Sequence, residues 1–368
     1  MSRLSILHTE SSLGWGGQEI RVLTEARGVA RAGHEVLLAA PEESRIHREA
    51  PRFGVEAVAV PIARKGPRGI AALRRLLTGR RFDVVNTHSS TDTWLAALAL
   101  LGRGGTPALV RTRHISAPMP GNAATRWLYN RATARIVTTG EKVRAQVIGE
   151  VRADASRVVS IATGIDLERF QPRDRREARA ALGLPPEAPI VGIVATLRSW
   201  KGHTYLLDAF SRLDVKDALL LVVGDGPQHA AIEAQARRLG VSARVRMAGN
   251  QADVAPWINA LDVFCLPSYA NEGVPQALMQ AMACGLPVVT TPVGSIEEIV
   301  THGETGLLVP PKDAAALRDA LATLLSDPAA RARLGGRAAA VARERFGEAR
   351  MVDRMIEVFR AAASRHDG

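Results

Sequence analysis

Apolar positions in this chain fall into two alternating patterns. Short continuous runs read as buried strands, and longer stretches with apolar residues every third or fourth position read as helices. Leu4-Ser5-Ile6-Leu7 begins the series and is followed by a helix from about Gly17 to Ala32, which Gly33 closes. Val36 to Ala40, Val58 to Val60, Val84 to Thr87, Ala108 to Val110 and Ile136 to Thr138 are the next strands, with helical segments between most of them. After Phe170 the polar stretch Gln171 to Arg176 and the Leu184-Pro185-Pro186 turn interrupt the pattern. It then resumes at Ile190 to Val194, Leu219 to Val223, Val245 to Met247, Val263 to Leu266 and Val288-Val289. Three helices without strands close the chain, over 313–326, 327–346 and 348–363. Alternation of this kind predicts α/β architecture with two parallel, doubly wound sheets. The boundary falls near residues 171–188, which gives domains of 1–172 and 173–348. In such sheets ligands bind beyond the strand C-termini.

The stretch Ser268 to Gly285 carries the most chemistry. It leaves the Val263–Leu266 strand, turns at Asn271-Glu272-Gly273, and enters a helix through Pro275, a residue suited to a first helical position. Gly285 stops that helix. A helix start facing a strand end presents backbone N–H groups to an anion. Glu272 at the corner repels phosphate and accepts from hydroxyls, so the ligand expected carries phosphate at one end and a polyol at the other.

Other strand ends add weaker signals. Gly14-Trp15-Gly16-Gly17 precedes the first helix, without matching the G-x-G-x-x-G fingerprint. Arg198 and Lys201 share one loop after the Ile190–Val194 strand, placed to neutralise a diphosphate or simply to be solvated. Asn250 follows the Val245 strand in Gly249-Asn250-Gln251, where backbone groups can meet a nucleobase. His88 and His114 each close a strand of the first half. No His, Asp and Glu set has zinc spacing, and no nucleophile elbow is present.

Charge changes the picture in one respect. The chain has 368 residues and a net charge of +11, with 25 Lys and Arg against 15 Asp and Glu up to residue 170 and near balance beyond it. That asymmetry points to nucleic acid or acidic lipid as a partner of the first half, or to an arginine-rich coding bias. Aromatic residues are 4% of the chain, poor material for base stacking, which argues against nucleic acid. Arg64 to Arg81 reads as a basic amphipathic helix with Ile70, Leu73 and Leu77 on one face. The apolar stretch near Trp94 to Leu101 is too short to span a bilayer, and Met1 to Glu10 lacks a secretory h-region, so a cytoplasmic protein is expected. Cys265 and Cys284 read as buried apolar residues in a reducing compartment.

Taken in order, Gly16-Gly17-Gln18-Glu19, His88, His114, Gly164-Ile165-Asp166, Lys201-Gly202 and Gly224-Asp225-Gly226-Pro227 form a recognisable set. Glu272-Gly273-Val274-Pro275, Thr291-Pro292-Val293-Gly294 and Gly303 to Val309 complete it. The chain resembles glycosyltransferase family 4 over essentially its whole length. That resemblance implies the GT-B architecture: two Rossmann-like domains facing across a cleft, with the C-terminal helix, about 349–368, crossing back to the first. It also implies retaining sugar transfer from a nucleotide-sugar donor with no cofactor or obligatory metal, the second domain holding the donor and the first the acceptor. Carried over by position, Lys201 with Arg198 binds the diphosphate, Glu272 binds sugar hydroxyls, and the backbone N–H groups of Gly273, Val274 and Pro275 meet phosphate or sugar. Gly16 and Gly17 approach the phosphate, and His114 hydrogen-bonds the donor sugar.

Two positions depart from the family. Gln280 replaces the second glutamate of the E-x7-E motif, exchanging a charge-assisted ribose contact for a neutral one. Ala195-Thr196 replaces Gly-Arg before the Lys-Gly loop, and Arg198 is the expected substitute. The implied acceptor is a glycan or lipid-linked intermediate of cell-surface polysaccharide or lipopolysaccharide synthesis, reached at the inner membrane face. The alternative of the same architecture is a nucleotide-sugar epimerase, which needs no acceptor.

Overall fold

A computed structural model describes residues 2–103, 107–270 and 272–364; Asn271 and the last four positions of the expected C-terminal helix lie outside the described residues. The chain divides into two compact units, Met1–Gly164 with Glu348–Gly368, and Ile165–Gly347.

The first unit holds β1 (Ser5–Thr9), β2 (Glu35–Ala40), β3 (Glu56–Ala59), β4 (Val84–Thr87), β5 (Ala108–Arg113), β6 (Arg135–Thr138) and β7 (Val158–Ser160). They form one sheet in the order β3-β2-β1-β4-β5-β6-β7, parallel throughout. Its helices are α1 (Gly17–Arg31), α2 (Arg45–Glu49), α3 (Pro67–Gly79), α4 (Ser90–Leu100), α5 (Ala123–Trp127) and α6 (Glu141–Val151). Ile6, Val84, Val110 and Val137 bury one face of the sheet, and Leu7, Val85, Leu109 and Ile136 the other. Side chains on neighbouring strand positions point to opposite faces, so a sheet covered on both sides needs these continuous apolar runs. Leu73 and Leu77 of α3 are buried in the second layer, with Ile70 packed against it, so the apolar stripe of the basic helix faces the core.

The second unit repeats the plan with α7 (Arg175–Ala181), β8 (Ile190–Val194), α8 (His203–Ser211), β9 (Leu219–Val223), α9 (His229–Arg238), β10 (Val245–Gly249) and α10 (Ala255–Asn259). It continues through β11 (Val263–Leu266), α11 (Gln276–Ala283), β12 (Val288–Thr290), β13 (Gly306–Leu308), α12 (Ala314–Ser326) and α13 (Pro328–Arg345). The parallel sheet runs β10-β9-β8-β11-β12-β13. Each sheet therefore reverses its winding once, between β1 and β4 and between β8 and β11. Such switch points open a crevice beyond the strand C-termini.

The last helix, α14 (Glu348–Ala363), belongs to the first unit. Met351, Val352, Met355, Ile356 and Phe359 join the core beneath β1, β4 and β5, and Glu348 pairs with Arg27 at 2.7 Å. The units change over at Gly164/Ile165, where the sequence pattern put 172/173. Residues 165–173 are tied to the second unit by Ile165 N–H donating to Phe346 O, by the Arg169–Asp253 pair at 2.8 Å, and by Arg173 N–H donating to Asn259 Oδ1. The strands β7 and β13 are additional to those the sequence pattern predicts; each is a three-residue strand at one edge of its sheet.

Candidate active site

In the second unit the switch point brings two loops together. The loop after β8 carries Arg198 and Lys201, and the loop after β11 carries Ser268, Tyr269 and Glu272. Tyr269 N–H donates to Trp200 O at 2.8 Å, which ties one loop to the other. A close approach enforces the register: a Cβ on Gly202, at φ +78°, would lie 2.0 Å from Pro267 O. Gly294, at φ +61°, does the same for the Glu272 carbonyl, 2.1 Å from where its Cβ would be. Both positions demand left-handed backbone without a side chain, which only glycine supplies cheaply.

Lys201 Nζ and Glu272 Oε1 meet at 2.6 Å, and Ser268 Oγ donates to the same carboxylate oxygen at 2.6 Å. Glu272 is 4% exposed, so these two donors take the place of solvent around its carboxylate. The guanidinium of Arg198 lies over the Trp200 ring at 5.7 Å and is exposed, with no carboxylate bound to it among the described residues. Val274 and Gln280 are buried. None of the described residues hydrogen-bonds the Gln280 side chain.

The entry to α11 differs from expectation by one position. Pro275 is the cap, with extended ψ of 122°, and Gln276 is the first helical residue. Pro275 has no N–H, so it cannot serve as a backbone donor as the sequence reading had it. No side chain caps this helix, which leaves its first-turn N–H groups, from Gln276 to Leu278, as the available donors. Asn250 stands exposed just past β10, at the sheet edge rather than at the switch point.

In the first unit the glycine loop follows β1. Gly16 caps α1 in extended conformation without a side-chain cap, and Gly17 opens the helix. Glu10 organises this loop: Ser12 N–H donates to its Oε1 at 2.9 Å and Gln18 Nε2 to its Oε2 at 2.5 Å. Burial, with Asp92 and Glu19 nearby, raises the Glu10 pKa to about 8.

His88 and His114 do not stand apart as two strand-end histidines. Together with His8 they form a row: His8 Nδ1 to His88 Nε2 at 3.0 Å, and His88 Nδ1 to His114 Nε2 at 3.1 Å. Burial holds all three pKa values below that of free imidazole, to about 3 for His8. Beside them, Glu25 is raised to about 7 by burial, against the opposing effect of Arg21. A ligand atom from each of His8, Glu25 and His88 lies within 4.8 Å of the others. No sequence spacing announced that cluster. Its one signal was an Arg21 and Glu25 pair at i, i+4 on the helix face turned to the core. Cys265 and Cys284 are free and buried, and burial pushes both thiols up, Cys284 to about 12, so both are inert.

Two doubly wound parallel sheets, each with polar groups at its switch point, are the GT-B fold. Residues 15–169 match the description "Glycosyltransferase Family 4", and residues 174–341 match "Glycosyl transferases group 1". A D-inositol 3-phosphate glycosyltransferase of Mycobacterium avium is 32% identical over 301 residues, covering 76% of this chain and 70% of the relative. The structure of Anabaena Alr3699/HepE in complex with UDP and glucose superposes with a TM-score of 0.86 at 21% identity, covering 98% of this chain and all of the other. WaaG, a glycosyltransferase involved in lipopolysaccharide biosynthesis, superposes at 0.75 with 18% identity, covering 96% and 99%. The chain belongs to glycosyltransferase family 4 and is a glycosyltransferase.

Proposed function

We propose that this protein transfers a sugar, with retention and without an obligatory metal or other cofactor, from a uridine-diphosphate sugar bound by the second unit. The observation that carries this reading is the Lys201–Glu272 pair beside an uncapped helix start at the β8/β11 switch point. A diphosphate is complementary to Lys201, Arg198 and the first-turn amides of α11, and the sugar hydroxyls are complementary to the Glu272 carboxylate. As the anomeric bond breaks, negative charge grows on the departing diphosphate, and fixed positive groups there lower the barrier. Gly273 and Val274 line the same corner, and Gln280 is assigned to the ribose. Asn250 takes the base edge, Gly16 and Gly17 approach the phosphate, and His114 hydrogen-bonds the transferred sugar. The names of the relatives favour transfer over epimerisation of the donor. Addition of a donor panel should raise the melting temperature for uridine nucleotides above other bases; at a hundred times Kd the gain is about 2.7 kcal/mol. Gln280→Glu, by restoring a charged acceptor, should enlarge that gain. Equal shifts for every nucleotide, or none, would sink the donor assignment.

For the acceptor, the reading favoured by this chain's surface is a lipid-linked glycan at a cytoplasmic membrane face. Between residues 57 and 82 there are seven Lys and Arg and no carboxylate. Arg64, Lys65, Arg68, Arg74, Arg75 and Arg81 are exposed there. Arg103 donates to Arg74 O and to Thr78 Oγ1, so the segment after α4 lies against α3, and Leu98 and Leu101 at that end of α4 are exposed. Among the described residues no helix is long and apolar enough to cross a bilayer, and the contact proposed is a peripheral one. Each cation near an anionic surface contributes roughly 1 kcal/mol. The chain should therefore sediment with vesicles of anionic but not of neutral lipid, and Arg74→Glu with Arg75→Glu should abolish this. Sedimentation unchanged in that variant removes the membrane from the proposal. A second acceptor class, a phosphorylated polyol, is favoured by the name of the mycobacterial relative, and turnover with a soluble inositol phosphate separates the two.

A further inference from the structure

The row of histidines in the first unit reaches far deeper than a substrate contact requires. His8 and His88 are 0% and 2% exposed, and His114 is partly buried. The rings of His8 and His88 stack at 5.3 Å with an interplanar angle of 8°, and His88 and His114 follow at 5.3 Å and 33°. Phe359 of α14 closes the inner end edge-on to His8 at 6.1 Å. The charged groups around the row are Arg21 and Glu25 from α1, Arg111 from β5 and Asp92 from α4. Desolvation with two arginines nearby keeps the rings neutral, so each has one N–H and one lone pair.

Three neutral rings joined in this way have only two self-consistent proton arrangements, and exchanging them moves a proton on every ring. The inner end decides between them. His8 Nε2 is buried and has no hydrogen-bond partner among the described residues. An orphaned buried N–H is rarer and costlier than an orphaned acceptor. The lone pair therefore sits on His8 Nε2. His8 Nδ1–H then donates to His88 Nε2, and His88 Nδ1–H to His114 Nε2. That leaves His114 Nδ1–H as the one donor the row offers outward.

We propose that His88, backed by His8, is a positioning residue that fixes the tautomer and ring plane of His114, so that His114 presents a single N–H donor to an oxygen of the transferred sugar. The proposal rests on the reading that His114 contacts that sugar. The alternative use of this cluster, a metal held by His8, Glu25 and His88, would have to break the 3.0 Å hydrogen bond between the rings and add charge beside buried Arg21.

The direct test is nitrogen-15 NMR on the histidine-labelled full chain. His8, His88 and His114 should each show protonated Nδ1 and no titration between about pH 5.5 and 8.5, the range in which a free imidazole changes charge. An Nε2–H signature, a tautomer mixture or an imidazolium at His114 overturns the assignment, as does displacement of these signals by added zinc. Kinetics supply the second readout. His88→Phe keeps the stacked ring and removes both hydrogen bonds. It should lower kcat roughly ten- to hundredfold, the range seen when the hydrogen-bond partner that orients a liganding histidine is removed, with little change in donor KM. In a His114→Ala background the same substitution should cost nothing further, whereas an equal loss in both backgrounds overturns positioning. If His114→Ala itself leaves transfer intact, the sugar-contact reading fails while the NMR still decides the tautomer.

Discussion

Glu272→Ala should cut sugar transfer roughly hundredfold while leaving the second unit folded. The carboxylate is 4% exposed and accepts from Lys201 Nζ and Ser268 Oγ, each at 2.6 Å. Hydrogen bonds to a charged group contribute about 1.5–3 kcal/mol each, and a sugar hydroxyl bound by the same group loses a comparable amount in the variant. Roughly 3 kcal/mol of lost transition-state stabilisation corresponds to a factor above a hundred. Two losses coincide: the sugar forfeits its acceptor, and Lys201 forfeits the anchor that aims it at the diphosphate. The fold should tolerate the change because Lys201 is already 19% exposed and can turn its ammonium to solvent. Glu272→Gln separates the two contributions. An amide can still accept from a hydroxyl but holds an ammonium poorly, so it should recover part of kcat and less of the donor affinity. Nucleotide release measured with and without acceptor reads both. Transfer undiminished in Glu272→Ala would place the chemistry elsewhere.

The architecture of both sheets was legible because a parallel sheet covered on two faces must be built from unbroken apolar runs. Ile190–Val194, Leu219–Val223 and Val263–Leu266 appear at the same bounds in the structure. The site was legible as a set of strand ends, which is a one-dimensional property of the chain. What the sequence hid were partnerships between distant positions. Ser268 reaches Glu272 within a loop, but Lys201 lies 71 residues from it. The His8, His88 and His114 row spans three strand ends, and only the winding order β1-β4-β5 makes them neighbours. Buried charge was the other blind spot. Arg21 and Arg179 are among the largest fully buried side chains, a place that composition rules deny to arginine. Arg179 sits where two backbone carbonyls and one carboxylate converge, and Arg21 where one carbonyl, the Thr163 hydroxyl and one carboxylate do, arrangements that leave no periodic trace.

The second of those arginines should dominate stability. In Asp262→Ala the transition of the second unit should fall by roughly 3–5 kcal/mol, the cost of leaving a buried charge without its partner. Asp262 Oδ2 accepts from Arg179 at 2.7 Å and from Ile190 N–H at 2.7 Å, and its Oδ1 pairs with Arg175. Arg179, 2% exposed, also donates to Ala260 O at 2.9 Å and Pro186 O at 2.6 Å. One carboxylate thus fastens α7 and the first residue of β8 to the turn before β11. At about 2–4 °C per kcal/mol for a unit of this size, calorimetry should record a drop near 10 °C. Only the transition of the second unit should move, because none of these groups belongs to the first. Replacing both partners, as Arg179→Met with Asp262→Leu, removes the orphaned charge and should recover most of the loss. The pair lies at the start of β8 and of β11, the end opposite the Lys201–Glu272 site, so donor binding by the folded fraction at 25 °C should be unchanged. A melting temperature that stays put in Asp262→Ala would mean that Arg179 is satisfied by its carbonyls alone. α7 would then be held by packing rather than by charge.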